Sequence, residues 1–103
     1  MIFHQIRHNF TDGVYIKQIR LTAGEVVEKH AHTYDHFSGV IFGVVDVEID
    51  GKKRRHFAGD LLTIKAKQQH RITAVTNAEW WCIHATDEKD PSRVDEVLIK
   101  KGA

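Results

Sequence analysis

The chain has 103 residues, of which 15 are basic and 14 acidic, so its formal net charge is only +1. This length fits one domain with one core, and the balanced charge gives no reason to expect a nucleic-acid or membrane partner. The single cysteine, Cys82, excludes an internal disulfide and is expected to be a buried, inert thiol in a reducing compartment. The N-terminus lacks the apolar core of a signal peptide, and no run reaches the roughly 18 apolar residues that span a bilayer. We therefore expect a cytoplasmic protein.

Turn-forming residues divide most of the chain into short β-strands. Gly43 indicates a bend or bulge inside the longest strand, and Asp50-Gly51 predicts a tight hairpin. Strands this closely spaced are typical of an antiparallel sandwich or barrel, so the predicted fold class is all-β. The predicted strands, in chain order, are residues 14–21, 25–32, 37–49, 55–57, 61–64, 70–75 and 80–85.

The C-terminal end has a different pattern, which predicts one short helix over about residues 91–101. Asp90-Pro91-Ser92 is a helix-start signal, and Ser92 can form a capping box with Asp95. The segment ends in Lys100-Lys101-Gly102, which suits a helix C-terminus. Its apolar residues share one helical face, which we expect to pack on the outside of the β domain: Val94, Val97 and Leu98.

Four histidines are the strongest candidates for chemistry: His30, His32, His36 and His70. Imidazole is the commonest protein metal ligand, and it is largely neutral and able to bind at pH 7. Because successive side chains of a strand alternate between its faces, His30 and His32 point the same way. His36 shares its face of the next strand with Ser38, Val40 and Phe42. The remaining histidines are interpreted as surface or strand residues: His4, His8, His56 and His84.

The first three of these histidines lie in a spacing that resembles the first motif of the cupin superfamily. That motif runs from a glycine through His-x-His and a glutamate to a second glycine. This chain has Gly24, five residues, His30-x-His32, three residues, His36, six residues and Gly43. His36 therefore stands where the family has its glutamate, so the ligand set resembles an all-histidine variant.

The second motif of the family is matched in spacing around the fourth histidine. Here Gly59 is followed by five residues, Lys65-Ala66-Lys67, two residues, His70, three residues and Ala74. The lysines and Ala74 replace the proline, glycine and asparagine of the family. The resemblance covers about residues 14–86 and implies a jelly-roll β-barrel, with residues 1–103 forming a single cupin domain.

The resemblance implies a divalent transition metal bound by His30, His32, His36 and His70. Zinc, iron, nickel, manganese, cobalt and copper are not distinguished by these ligands. Four neutral imidazoles leave the charge of the ion uncompensated, which favours a small anionic ligand. Tyr34 is a candidate catalytic residue between the ligands, whereas Asp35 is interpreted as part of a solvated turn.

The resulting expectation is a metal-dependent enzyme for a small anionic or enolisable substrate. The resemblance implies either isomerase or lyase chemistry on a sugar-derived acid, or a dioxygenase. Two alternatives stay open, namely a non-catalytic sensor or binding module and a structural metal site. Trp80 and Trp81 alternate in direction, and an outward tryptophan on a small β domain favours a homodimer interface.

Overall fold

The computed structural model describes residues 5–30, 34–90 and 92–93, without the side chains of residues 29 and 30. Within these ranges the chain forms strands and turns but no helix, and thus none that could cross a membrane. The strands are β1 (Gln5–Thr11), β2 (Val14–Leu21), β3 (Val26–His30), β4 (His36–Phe42), β5 (Val44–Ile49), β6 (Lys52–Phe57), β7 (Leu61–Ile64), β8 (His70–Ala74) and β9 (Ala78–Ala85).

Two antiparallel sheets build the domain. One has five strands in the order β1-β2-β9-β4-β7, and the other has four in the order β3-β8-β5-β6. Among the described residues no strand pair joins the two sheets, so the barrel is not closed. The all-β prediction is confirmed, while the predicted jelly-roll barrel is present as two facing antiparallel sheets that are not joined into a closed barrel.

The core lies between the sheets and is built mainly from side chains that alternate with outward-facing ones along the strands. On β9 the inward side chains include Trp80 and Cys82, while Trp81 faces outward and is half-buried. The predicted burial of Cys82 and the opposite directions of the two tryptophans are therefore confirmed. The buried apolar cluster consists of Ile19, Leu21, Val40, Val45, Val47, Ile72, Ala74, Ala78, Trp80 and Cys82.

The predicted long strand of residues 37–49 is in fact two strands in different sheets. β4 ends at Phe42 and β5 begins at Val44, and Gly43 between them has a φ of +80°. A Cβ at Gly43 would collide with the backbone carbonyl of Asn77 and lie 2.8 Å from Cα of Ala78. Gly43 therefore forms a tight corner that redirects the chain rather than a bulge within one strand.

The predicted hairpin between β5 and β6 is confirmed. Asp50 and Gly51 both have positive φ values, 51° and 79°, and Ile49 pairs with Lys52 across them. A two-residue loop with both central residues in this region is the turn whose twist matches the flanking strands. Aspartate tolerates the left-handed conformation and glycine adopts it freely, which explains the Asp-Gly pair.

The N-terminal end of the chain differs from the sequence-based expectation, and most of the C-terminal end lies outside the described residues. β1 was not predicted, and it pairs along its whole length with β2. The predicted helix of residues 91–101 lies outside the described residues except for Ser92 and Arg93, which are in a turn. In that turn the Ser92 backbone N–H and hydroxyl both donate to Oδ1 of Asp90, at 2.9 and 2.7 Å.

Candidate metal centre

Four polar side chains form a compact group on the inner face of the five-stranded sheet, where β4 and β9 lie side by side. Ser38 and Cys82 are paired directly across these strands, and His36 and His84 occupy the next inward positions. All four are buried. The rings of His36 and His84 stack with their centroids 4.4 Å apart and their planes inclined by 27°. We call these four residues the β4–β9 polar group.

Three members of the β4–β9 polar group offer metal-ligand atoms close to one another. One ring nitrogen each of His36 and His84 and the sulfur of Cys82 all lie within 4.8 Å of each other. The hydroxyl of Ser38 is 0% exposed and has no hydrogen-bond partner among the described residues. An unsatisfied hydroxyl in an apolar interior costs free energy, so this position is suited to a further polar ligand.

The opposite sheet contributes His70, the first residue of β8. Its ring is buried and lies 5.9 Å from that of His36, so these two predicted ligands are brought together between the sheets. Its Nδ1 lies 3.4 Å from the carbonyl oxygen of Gln68. Because a carbonyl only accepts, this contact places the hydrogen on Nδ1 and the lone pair of the ring on Nε2, as in a metal ligand.

Of the other two predicted ligands, the structure describes only the backbone of His30. The β3–β8 register pairs the Cα atoms of His30 and His70, which places His30 on the strand beside His70. His32 is outside the described residues. The register thus brings two strands with predicted ligands together at one end of the smaller sheet.

The loop before β4 presents the remaining candidate residues to solvent. Tyr34, the candidate catalytic residue, is 59% exposed. Asp35 accepts a hydrogen bond of 2.7 Å from the backbone N–H of Ala66, and its other carboxylate oxygen lies 3.7 Å from Nζ of Lys65. Asp35 therefore ties the β3–β4 connection to the loop that precedes His70, and it has a structural role beside the site.

A row of aromatic rings supports His84 from the side of β2. Tyr15 is fully buried, and its ring stacks on His84 at 5.9 Å and on Phe10 at 4.9 Å. Its hydroxyl lies 2.6 Å from Nδ1 of His8 on the exposed strand β1. These contacts pack one side of the His84 ring against Tyr15, while the ring also stacks on His36.

Sequence reasoning missed the contribution of β9 to this site. His84 does lie in a strand, but its interpretation as a surface residue is wrong, because the structure buries it. Cys82 was expected to be inert, yet it lies beside two imidazoles. The signal was present in the alternation of β9, because an inward Trp80 places positions 82 and 84 on the same inner face.

A cavity of about 360 Å³ opens at the end of the five-stranded sheet where β4 begins and β9 ends. Both His36 and His84 contribute to its lining, and most of the rest is apolar and includes Phe37 and Ile83 of the outer face. The complete lining is Val14, Asp35, His36, Phe37, Thr63, Ile83, His84 and Ala85.

The chain matches a known family over most of its length. Residues 18–84 match the family model of the cupin domain. No curated protein matches the chain by sequence. The matched region includes the strands that carry His36, His70 and His84, so the candidate centre lies inside it.

Solved structures with the same fold are numerous and distant in sequence. The structure of KdgF from Halomonas sp. is 22% identical, with a TM-score of 0.75 over 86% of this chain and 84% of the other. An RmlC-like cupin family protein with a double-stranded β-helix fold from Methanocaldococcus jannaschii is 18% identical, with a TM-score of 0.72 over 84% of each chain. A variant of oxalate decarboxylase from Bacillus subtilis is 17% identical, with a TM-score of 0.73 over 97% of this chain and 30% of that one. At these identities the similarity supports the fold alone.

Proposed function

Because the chain belongs to the cupin family, we propose that it is a small metalloprotein that acts on a small anionic or enolisable molecule. The observation that carries this proposal is the meeting of His36 and His70 between two sheets whose interior is otherwise mainly apolar. Imidazole is the commonest protein metal ligand, and two neighbouring buried imidazoles are suited to bind a divalent transition ion.

The proposed ligands are His30, His32, His36 and His70. His36 and His70 support this set through their burial and ring separation, and His30 supports it through its register position beside His70. The donor atoms are neutral, so these residues leave the full charge of the ion available to a ligand. When bound, the ion would supply a Lewis acid for a carbonyl or carboxylate oxygen.

The residues of the chain would select and orient that ligand. The pocket beside His36 and His84 has room for a molecule of a few carbon atoms, and its lining is mainly apolar. Tyr34 is the proposed proton donor or acceptor at the exposed rim. We place the reaction among isomerase, lyase or dioxygenase chemistry, of which only the last needs dioxygen.

We also propose a homodimer in the cytoplasm. The outer face of the five-stranded sheet carries an apolar row across three strands, because the register places Gly39 between Leu61 and Trp81. Phe37 lies on the same face, and both Phe37 and Leu61 are exposed. A second copy of the chain would remove this apolar surface from water.

Metal content and thermal stability test the proposal. Tag-free wild-type protein should carry about one equivalent of a transition metal, and a ligand at 100 times its Kd should raise the free energy of unfolding by about 2.7 kcal/mol. For a domain of this size this corresponds to a rise in Tm of roughly 10–20 °C over chelator-treated protein. His36→Ala should lose both the metal and the rise in Tm.

His56→Ala is the matched control, since His56 is on β6 beside Asp60, at 3.3 Å, outside the histidine cluster. It should keep the metal content of the wild type. Wild-type protein without stoichiometric metal, or a His36→Ala variant that retains it, would contradict the proposal.

Enzymatic activity on enolisable molecules is tested by hydrogen exchange of small probes. Pyruvate and acetylacetone in D₂O should exchange their acidic C–H hydrogens faster with metal-loaded protein than with chelator-treated protein, as followed by proton NMR. Tyr34→Phe should slow this exchange without changing metal content. If both probes bind in a metal-dependent way but neither exchanges, the chain is a binding module rather than an enzyme of enolisable substrates.

A further inference from the structure

We propose that His36, Cys82 and His84 form a second, thiolate-containing metal position on the β9 side of the interior, which prefers ions such as zinc and cobalt to manganese. Two of these residues come from β9 and lie outside the four-histidine set. The two positions share His36, so they compete for one ring. The identity of the ion then decides which position is occupied.

The donor geometry supports this position. The sulfur and the two ring nitrogens already lie within 4.8 Å of one another. A tetrahedral zinc site, with Zn–S near 2.3 Å and Zn–N near 2.0–2.1 Å, separates its donors by about 3.5 Å. The His36 and His84 rings are stacked with their planes inclined by 27°, so binding requires the rings to rotate until both nitrogens point at the ion. The Ser38–Cys82 pairing holds the backbones of β4 and β9 together while the side chains rotate.

The charge of the donor set also favours an ion here. As the sulfur–metal bond forms, the Cys82 thiol releases its proton to solvent, so the bound ligand is a thiolate. One thiolate and two neutral imidazoles reduce the net charge of a divalent ion to +1, whereas four imidazoles leave it at +2. A smaller net charge is less costly to hold in a mainly apolar interior. Thiolate ligands favour zinc over manganese, which prefers oxygen.

The surroundings provide an open fourth coordination position. Three protein ligands plus water is the arrangement of catalytic rather than structural zinc sites. Ser38, at the remaining corner of the β4–β9 polar group, has a buried hydroxyl without a hydrogen-bond partner among the described residues. That hydroxyl is placed to hydrogen-bond a water on the ion.

Cobalt substitution tests this position directly, because Cys82 is the only cysteine of the chain. Addition of Co²⁺ to chelator-treated protein should produce a sulfur-to-cobalt charge-transfer band in the near ultraviolet. Cys82→Ser and His84→Ala should each abolish the band. His70→Ala removes a ligand of the four-histidine set but none of this one, so it should retain the band. Circular dichroism of each variant verifies that it is folded.

X-ray absorption of the zinc-loaded wild type provides a second measurement that needs no variant. It should show one sulfur neighbour at about 2.3 Å together with nitrogen neighbours at about 2.0–2.1 Å. A shell of nitrogen and oxygen alone, or bound Co²⁺ without the charge-transfer band, would overturn this inference. Either result leaves the four-histidine proposal standing as long as His36→Ala still loses metal.

Discussion

At the scale of single residues, Lys67 shows how this chain departs from the family motif without changing its backbone. Lys67 occupies the position at which the second cupin motif has a glycine, and its φ is 68°. The turn around it is closed by the Gln68 backbone N–H, which donates to the carbonyl of Lys65 at 3.2 Å. The backbone therefore keeps the conformation that glycine favours, although the side chain does not.

Lys67→Gly is expected to stabilise the protein. A non-glycine residue in the left-handed region costs roughly 1–2 kcal/mol, which glycine avoids. Glycine loses more conformational entropy on folding, and this offsets about 0.5–1 kcal/mol of the gain. The net gain should be about 0.5–1 kcal/mol, measured by urea unfolding. Gln69→Gly, two positions later at a residue without positive φ, is the control and should destabilise the chain. A loss of stability in Lys67→Gly would show that the lysine side chain stabilises this loop.

Glu79 is a second residue whose environment has a measurable consequence. Burial raises the pKa of this carboxyl, but hydrogen bonds from Trp81 (2.7 Å) and Arg20 (2.9 Å) outweigh it, so the pKa lies below its ordinary value of 4.5. A lowered pKa in the folded state stabilises the protein above the unfolded-state pKa. That stability is lost as the pH falls below about 4.5 toward the folded-state value.

Glu79→Gln should therefore flatten the decline in stability on the acid side. The free energy of unfolding, measured by urea titration between pH 6 and pH 3, should fall less steeply in the variant than in the wild type. Trp81→Phe removes one of the hydrogen-bond donors and should give an intermediate slope. Equal slopes in wild type and Glu79→Gln would show that other carboxyl groups control acid unfolding.

At the scale of elements, the corner at Gly43 determines which sheet each half of the predicted long strand joins. Val44 donates its N–H to Oγ1 of Thr76, at 3.0 Å, and its carbonyl accepts from the Val75 N–H at 2.9 Å. These bonds join the β4–β5 corner to the β8–β9 connection. Because β4 carries His36 into one sheet and β8 carries His70 into the other, the same region helps to position both rings.

Gly43→Ala should be one of the most damaging small substitutions in the chain. The added methyl group meets backbone atoms of Asn77 and Ala78, which have no rotamer to change, and the positive φ adds strain. We expect a loss of roughly 3 kcal/mol or more in the free energy of unfolding. Gly13→Ala is the matched control, since Gly13 has a similar φ of 77° but no atom within 4 Å of the new Cβ. It should lose only about 1–2 kcal/mol, and similar losses in both variants would exclude the close contact as the cause.

The sequence was informative about elements wherever turn chemistry marked a boundary. Strand β2 and the Asp50-Gly51 hairpin follow from such residues. The division at Gly43 could not be read in this way, because β-favouring residues continue on both sides and the change of sheet is a tertiary event. Strand β1 was missed because its mostly exposed, polar residues depend on pairing with β2 rather than on burial.

The candidate metal centre could be predicted from the sequence only in part. The proximity of His36 and His70 followed from a family resemblance in spacing, since nothing local relates two residues on different sheets. The burial of His84 required only the alternation from Trp80, but the polarity of histidine favoured the surface. For His84 the polarity of the side chain and the alternation of side chains along β9 gave opposite predictions, and the alternation was correct.

At the scale of the whole molecule, the outer face of the larger sheet is the surface most suited to self-association. Leu61 is 64% exposed, and it shares that face with Phe37 and the half-buried Trp81. Large exposed side chains in one apolar region of a small domain are unusual in a monomer. The opposite sheet presents charged residues on its edge strand β6, which is typical of an edge that avoids pairing.

Leu61→Glu should convert a dimer into a monomer. A carboxylate buried within the apolar interface is left without water or a partner, which costs several kcal/mol and shifts the equilibrium to separate chains. Sedimentation velocity across a range of protein concentrations measures the change. Phe57→Glu is the control, because Phe57 is 55% exposed but lies on β6 in the other sheet. A monomeric wild type would reject the proposed dimer.

The strand order of the larger sheet has a consequence for synthesis of the chain on the ribosome. β2 lies between β1 and β9, so one of its edges is covered early by a neighbouring segment and the other only by residues 78–85. Roughly 60 residues lie between β2 and β9 in the chain, and at about 5–20 residues per second the translation of these residues takes several seconds. During that interval the nascent chain exposes an unpaired strand edge, which makes this edge the position where a chaperone would be needed most.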